Sequence, residues 1–405
     1  MNEPVKIGLI REGKVPYDKR VALTPKQCKF LIEQYPYLSI YCQPSNFRSY
    51  PDNEFEENGT TVQEDLSDCD ILFGIKEVPI DQLIEGKTYF FFSHTLKKQP
   101  YNRKLLQEVL KKNITLIDYE AITNEKKERL VAFGKYAGIV GAYNAFRTLG
   151  LKNNLFNLPP AYTLFDRNEM MARLKQCTFP PIKIVVTGSG RVAKGVKEIL
   201  DELNIPQVSA GDFILKHHKN PVFTILRSSD YYQDEAGKFD ADIFYSNPDG
   251  YKSTFLNFAF NADMLIAAAY WNPSAPKLFE KEDMKNPDFR IKIIADITCD
   301  INGSIPSTVK PSTIYDPFYD YNPLSGEIEN AFSDINNITV MAIDNLPTEL
   351  PRDASEFFGN QLIEHVFPAL LVNDEHRVVQ NSIIASGGTL SQNFVYLKDF
   401  VEHKE

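Results

Sequence analysis

Residues 182–195 read Ile-Lys-Ile-Val-Val-Thr-Gly-Ser-Gly-Arg-Val-Ala-Lys-Gly, a β-branched run that breaks into a glycine turn and opens an amphipathic stretch. A strand followed at once by a helix, here expected over Val192–Leu203, is half of a crossover, and crossovers build parallel sheets. Gly188 and Gly190 allow a tight turn and let a pyrophosphate approach the backbone N–H groups at a helix N-terminus. Ser189, Arg191 and Val192 would flank it. The third glycine, Gly195, stands two places later than in the usual G-x-G-x-x-G spacing, so spacing alone leaves dinucleotide binding open.

The cofactor reading continues downstream. Pro206–Ser209 is the expected second strand, where an NAD enzyme commonly carries an acid for the ribose hydroxyls. The first acid is Asp212, 24 positions beyond Gly188. Its late position leans towards NADP, with Ser209, Arg191 and Arg227 as candidate phosphate contacts, although Asp212 shifted into the ribose role remains the alternative. Further strands are expected at Met264–Ala269, ending in Tyr270, and at Ile291–Ile297. Pro311–Asn330 reads as a long loop or ribbon on the surface.

Upstream, short apolar runs alternate with amphipathic stretches: Val5–Ile10, Pro25–Gln34, Ile71–Ile75, Tyr89–Phe92, Arg103–Lys111 and Ile114–Ile117. This alternation predicts a second α/β domain. Its strands run into Arg11 and Glu12, Lys76 and Glu77, His94, and Asp118 and Glu120. Ligands of open α/β sheets sit outside the carboxyl ends of strands, so these polar residues are placed to share a cleft. From Arg129 to Gly150, glycine and alanine recur in a helical pattern, suited to close packing at a domain junction. Asn153–Pro181 is expected as a linker around a short helix, Arg167–Gln176, with a new domain starting near Pro181.

A length of 405 residues favours two such domains. The net charge of -10 excludes a nucleic-acid or anionic-membrane surface, since either needs a positive field. The N-terminal apolar run is too short for a signal-peptide core and no run reaches membrane length, so cytoplasm is the expected compartment. Five scattered cysteines without a CxxC pair, and histidines without partners at ligand spacing, predict neither a disulfide framework nor a metal site.

Several segments together are recognisable. YDKRVALTP (17–25), GIKEVP (74–79), FFSHTLK (91–97), LIDYE (116–120), RLVAFGKYAG (129–138), TGSGRVAKG (187–195), IADITCDINGSI (294–305) and AIDNLPTELPRDASEFFG (342–359) resemble the lysine-forming saccharopine dehydrogenases. They are still more similar to the lysine–ketoglutarate reductase half of the bifunctional enzymes. Alanine dehydrogenases and the nucleotide-binding subunit of transhydrogenase share the broader fold and the RVALTP-like opening.

The resemblance implies two doubly wound Rossmann-like α/β domains, a substrate domain built from both chain ends (1–137 and 350–405) and a dinucleotide-binding domain (138–349). It implies an NAD(P)-dependent oxidoreductase that joins lysine and 2-oxoglutarate to saccharopine, or runs the reverse; separately, a monomer or small homo-oligomer is expected, and the charge and hydropathy predict no nucleic-acid or membrane partner. Carried over by position, Lys76 and His94 match the acid/base pair, and Arg20 and Arg129 match residues that engage substrate carboxylates. Lys97, Glu120, Phe133 and Asp344 match other cleft positions. One departure is Val192-Ala193 where the fungal enzymes carry cysteine and glycine, which unsettles the NAD preference. Two other functions stay open, an alanine- or opine-type amino-acid dehydrogenase and a catalytically silent dinucleotide-binding protein.

Overall fold

In a computed structural model, which describes residues 3–404, the chain forms two compact units, one made of the segments up to Phe133 and from Pro351, the other of Gly134–Leu350. In the first unit β1 (Val5–Leu9), β2 (Leu38–Cys42), β3 (Thr61–Val62), β4 (Ile71–Phe73), β5 (Thr88–Phe91) and β6 (Thr115–Asp118) are all parallel. The chain runs outwards from β1 through β2 to β3, then returns to place β4 on the other side of β1. The carboxyl ends of β1 and β4 therefore flank a topological switch point, the place where open α/β sheets hold ligands. After β1, the RVALTP segment stops the chain and starts the Pro25–Gln34 helix. Thr24 accepts the Gln27 N–H while the Gln27 side chain accepts the Thr24 N–H, and Pro25 occupies the first helical position.

The second unit contributes β7 (Lys183–Thr187), β8 (Val222–Leu226), a small hairpin of β9 (Tyr232–Gln233) and β10 (Lys252–Ser253), then β11 (Met264–Ala267), β12 (Ile293–Asp296), β13 (Phe318–Tyr321), β14 (Ile328–Glu329) and β15 (Ile338–Met341). Its main sheet has the order β14-β13-β15-β12-β11-β7-β8, with a switch point between β7 and β11. Ile184, Val185 and Val186 are fully buried, the unbroken apolar run of a parallel strand covered on both faces. Each such side chain removed from water stabilises the fold by about 1.5–3 kcal/mol.

Two strands return to the first sheet from the C-terminus, β16 (Ile383–Ser386) and β17 (Thr389–Leu390), both antiparallel and set beyond β6. The expected fold class, two doubly wound sheets with one built from both chain ends, is present.

Three local expectations need correction. The strand that pairs with β7 on its outer side is Val222–Leu226; Pro206–Ser209 makes only an isolated bridge, Gln207 to Phe223. Pro311–Asn330 is a ribbon whose inner strand is buried, because Tyr319 and Tyr321 point into the core of the unit and β13 pairs with β15. The small-residue helix, Gly134–Lys152, lies within the second unit, as does Pro181. A Cβ on Gly138 would stand 1.9 Å from the Val192 carbonyl oxygen, and one on Gly195 would stand 2.1 Å from that of Lys135. These glycines let that helix seat on Arg191–Glu202, the helix that follows the glycine turn.

Candidate active site

In the first unit the polar residues that follow β1, β4, β5 and β6 form a connected set. Glu12, only 8% exposed, accepts the N–H of Ile75 through Oε1 at 2.7 Å and that of Lys76 through Oε2 at 2.8 Å. Lys76 is half-buried, and burial followed by the Arg20 charge pulls its pKa below the ordinary lysine value. Glu77 accepts from Lys14 Nζ at 2.8 Å and lies 2.9 Å from His94 Nδ1. Burial opposes ionisation of Glu77, but the bonds from His94 and Lys14 overcome it and hold the carboxyl down at about 2.

An ionised carboxylate only accepts, so Nδ1 of His94 carries the proton. His94 takes a φ of +51°, a left-handed conformation uncommon for a residue with a Cβ. The backbone beside it is pinned by Asp118, which accepts the Ser93 N–H at 2.8 Å and the Glu120 N–H at 2.7 Å; burial pushes the Asp118 carboxyl up to about 6.

Arg20 is 3% exposed and already engaged. Its Nε and Nη2 donate to the two oxygens of Asp18 at 2.9 and 2.6 Å, and its guanidinium lies 4.1 Å from the ring centre of Phe133. Phe133 stacks in turn on Phe358, with centroids 4.5 Å apart. Arg129 donates to Glu120 at 2.8 Å. Lys97 is exposed on the loop after His94. Asp344, exposed after β15, belongs to the second unit.

In the second unit, Gly188 has a φ of +98°, and a Cβ there would stand 2.9 Å from the Ala268 carbonyl oxygen and the Ala269 backbone. A Cβ on Gly190 would meet nothing within 4 Å. The loop therefore grips the end of β11 on one side and leaves open space on the other, in front of the helix Arg191–Glu202. That space is a cleft of about 500 Å³ lined by Gly188–Val192, Arg227–Ser229, Phe239, Ala241, Tyr245 and Ala268–Tyr270. The bare backbone and the helix N-terminus suit a dinucleotide phosphate.

Ser209 and Asp212 do not line this cleft. Ser209 caps the helix Ala210–Leu215 by accepting the Asp212 N–H at 3.0 Å, and Asp212 pairs with Lys216 at 2.9 Å. The true second strand ends at Leu226 and is followed by Arg227-Ser228-Ser229, and the next acid, Asp230, accepts the Arg227 backbone N–H at 2.6 Å. Tyr270 does line the cleft and is 84% exposed.

Sequence reasoning assigned no role to Lys14, Asp18, Ser228, Ser229, Phe239 or Tyr245. Asp18, two places before Arg20, was the one with a local signal. Among the described residues no group of three or more His, Cys, Asp or Glu is arranged to hold a metal, all five cysteines are free, and no helix is long and apolar enough to cross a membrane.

Residues 8–140 match the family "Alanine dehydrogenase/PNT, N-terminal domain". The whole chain is similar to the alpha-aminoadipic semialdehyde synthase, mitochondrial, of Mus musculus, with 29% identity over 100% of this chain and 48% of that protein, so it spans about half the length of that relative. It is 26% identical to "Saccharopine dehydrogenase [NAD(+), L-lysine-forming]" of Emericella nidulans, over 90% of this chain and 91% of the other. In fold it is similar to an L-alanine dehydrogenase, with a TM-score of 0.66 at 15% identity over 98% of this chain and 100% of that one.

Proposed function

We propose that this chain, a relative of the saccharopine dehydrogenases and alpha-aminoadipic semialdehyde synthases on the alanine dehydrogenase fold, is a pyridine-nucleotide oxidoreductase that joins lysine and 2-oxoglutarate to saccharopine, or cleaves saccharopine in reverse. The observation that carries this reading is the set of Lys76, Glu77 and His94 at the carboxyl ends of β4 and β5, beside the switch point of the first sheet. Bound NADP(H) would supply or accept the hydride.

The residues of the chain have the proton transfers to perform. Imine formation needs a neutral amine to attack a carbonyl, a proton for the carbinolamine oxygen, and the departure of water. Lys76, with its ammonium form disfavoured by burial and Arg20, gives up and takes back a proton more readily than an exposed lysine. His94 serves through Nε2 while Glu77 holds Nδ1. Arg20 and Arg129 are the carboxylate ligands, each already carrying an internal carboxylate, Asp18 and Glu120. Substrate carboxylates thus enter by sharing or exchanging these partners, which orders the guanidinium planes before substrate arrives. Lys97, Glu120, Phe133 and Asp344 complete the set carried over by resemblance.

The strand order bears on the choice of cofactor. Gly188–Val192 would hold the pyrophosphate, with Tyr270 beside it, and Arg227, Ser228 and Ser229 offer a cation and two hydroxyls where an NAD enzyme commonly has an acid. That supports NADP(H). The test is product analysis by mass spectrometry after incubation with lysine, 2-oxoglutarate and NADPH. Saccharopine formation that requires all three supports the reading, and a product that forms without lysine contradicts it.

A further inference from the structure

Where β4 ends, the chain leaves its ladder. The last paired residue is Phe73, opposite Phe90; Gly74 N–H then reaches the Phe90 carbonyl oxygen at 2.9 Å, and the Ile75 carbonyl oxygen accepts from Phe92 N–H at 3.0 Å. The N–H groups of Ile75 and Lys76 point the other way, to the two oxygens of Glu12, at 2.7 and 2.8 Å. The same segment is held from the opposite side by the Tyr119 hydroxyl, which donates to the Gly74 carbonyl oxygen at 2.9 Å and belongs to a fully buried ring. A Cβ on Gly74 would lie 2.7 Å from Ile10 Cδ1 and 3.6 Å from Glu12 Oε1, so the end of β4 packs against the side chains that follow β1.

We propose that Glu12 is a positioning residue for the reaction: its carboxylate clamps two successive backbone N–H groups and so fixes where the side chain of Lys76 starts. This rests on the reading of Lys76 as an acid/base group and adds to it a second residue that never touches the reacting atoms. A carboxylate is suited to the task because both its oxygens accept, one for each N–H; an amide offers one acceptor and turns an NH2 towards the other donor. The charged and titratable groups that act on the Lys76 ammonium are Arg20, Asp18, Glu77 and Lys14. Those around Glu12 are Asp18, Arg20 and Tyr119; burial and then Asp18 push its carboxyl up to about 8, while the Ile75 and Lys76 N–H groups and Arg20 pull it down, and a donor at each oxygen, 2.7 and 2.8 Å away, favours the ionised form. Through these two bonds Glu12 acts on the main chain, and without the clamp the Lys76 side chain gains access to water.

The test needs no substrate. Competitive acetylation across pH, read at residue 76 by peptide mass spectrometry, gives the titration midpoint of Lys76 in the full chain. Removing the clamp in Glu12→Ala, and halving it in Glu12→Gln, should raise that midpoint by about half a unit or more as the ammonium becomes hydrated. Exposed Lys104 should be unaffected in both. If Glu12→Ala does not fold, Glu12→Gln carries the measurement alone. A Lys76 midpoint unchanged from the unaltered protein overturns the proposal.

Turnover adds a second arm. Glu12→Gln should lower it in the unaltered background and cost nothing further in a Lys76→Met background, because one group acts through the other. Equal losses in both backgrounds overturn the positioning role. Normal turnover in Lys76→Met alone would instead remove the acid/base reading of Lys76, while the acetylation result would still judge the clamp.

Discussion

Nδ1 of His94 lies 2.9 Å from Oε1 of Glu77, and Glu77 is held ionised down to about 2 by that bond and by Lys14. A carboxyl whose folded pKa is depressed contributes stability that is full above its unfolded value and disappears as pH falls through the folded one. The loss should therefore run from about 4.5 down to about 2. The shift corresponds to about 3 kcal/mol at neutral pH. Glu77→Gln should lower the thermal midpoint at pH 7 and flatten the loss below pH 4.5. An acid limb of the same steepness in the variant would contradict the assignment.

Lys76→Met should lower turnover roughly 100-fold or more, the usual scale of general acid/base catalysis, and remove the pH limb that Lys76 contributes. His94→Gln should cost less, since Lys76 still takes part, and the double change should cost less than the two combined if they act as a unit. Cofactor affinity, measured by titrating nicotinamide fluorescence, should hardly change in any of the three variants. Near-normal turnover in Lys76→Met would move the search for catalytic groups to Glu120 and Asp344.

Arg227→Ala should weaken NADPH binding by roughly tenfold or more, the scale of a lost hydrogen bond to a charged group, and leave NADH affinity within about twofold. Ser209→Asp should leave the ratio of the two affinities unchanged, because Ser209 caps a helix and does not line the cleft. Equal losses for both cofactors in Arg227→Ala would remove it from the 2′-phosphate role.

In the second unit, burial pushes the Glu349 carboxyl up to about 7, against the Asn144 amide that donates to it at 2.7 Å and the Arg147 charge. A raised carboxyl pKa works in the opposite sense to Glu77: its stability is complete below the unfolded value and lost as pH rises through the folded one. Thermal midpoints should fall between pH 4.5 and about 7 on account of this group, and Glu349→Gln should flatten that slope. A slope unchanged by the substitution would mean the carboxyl titrates normally.

Much of this architecture is legible in the chain. The apolar runs ending in Lys76, His94 and Glu120 are strands, and the glycine turn opens a helix, because period, β-branching and turn chemistry are local properties. The second strand of the nucleotide sheet was misplaced because Pro206–Ser209 and Val222–Leu226 are both short apolar runs, and only pairing with β7, far away in the chain, separates them. The same non-locality hid the set around the site. Glu77 meets Lys14 across 63 positions and Glu12 meets the Lys76 N–H across 64, and no spacing rule joins residues so far apart. Ser209 shows the local counterpart of the error: a serine before a helix is first of all a cap.

The most direct test of the central claim is a comparison of substrate pairs, following the oxidation of NADPH and NADH by the purified chain at saturating concentrations. Lysine with 2-oxoglutarate should be turned over faster than ammonium with pyruvate, and NADPH should serve at least as well as NADH. Faster turnover with ammonium and pyruvate would contradict the account and make the chain an alanine-type dehydrogenase on the same fold.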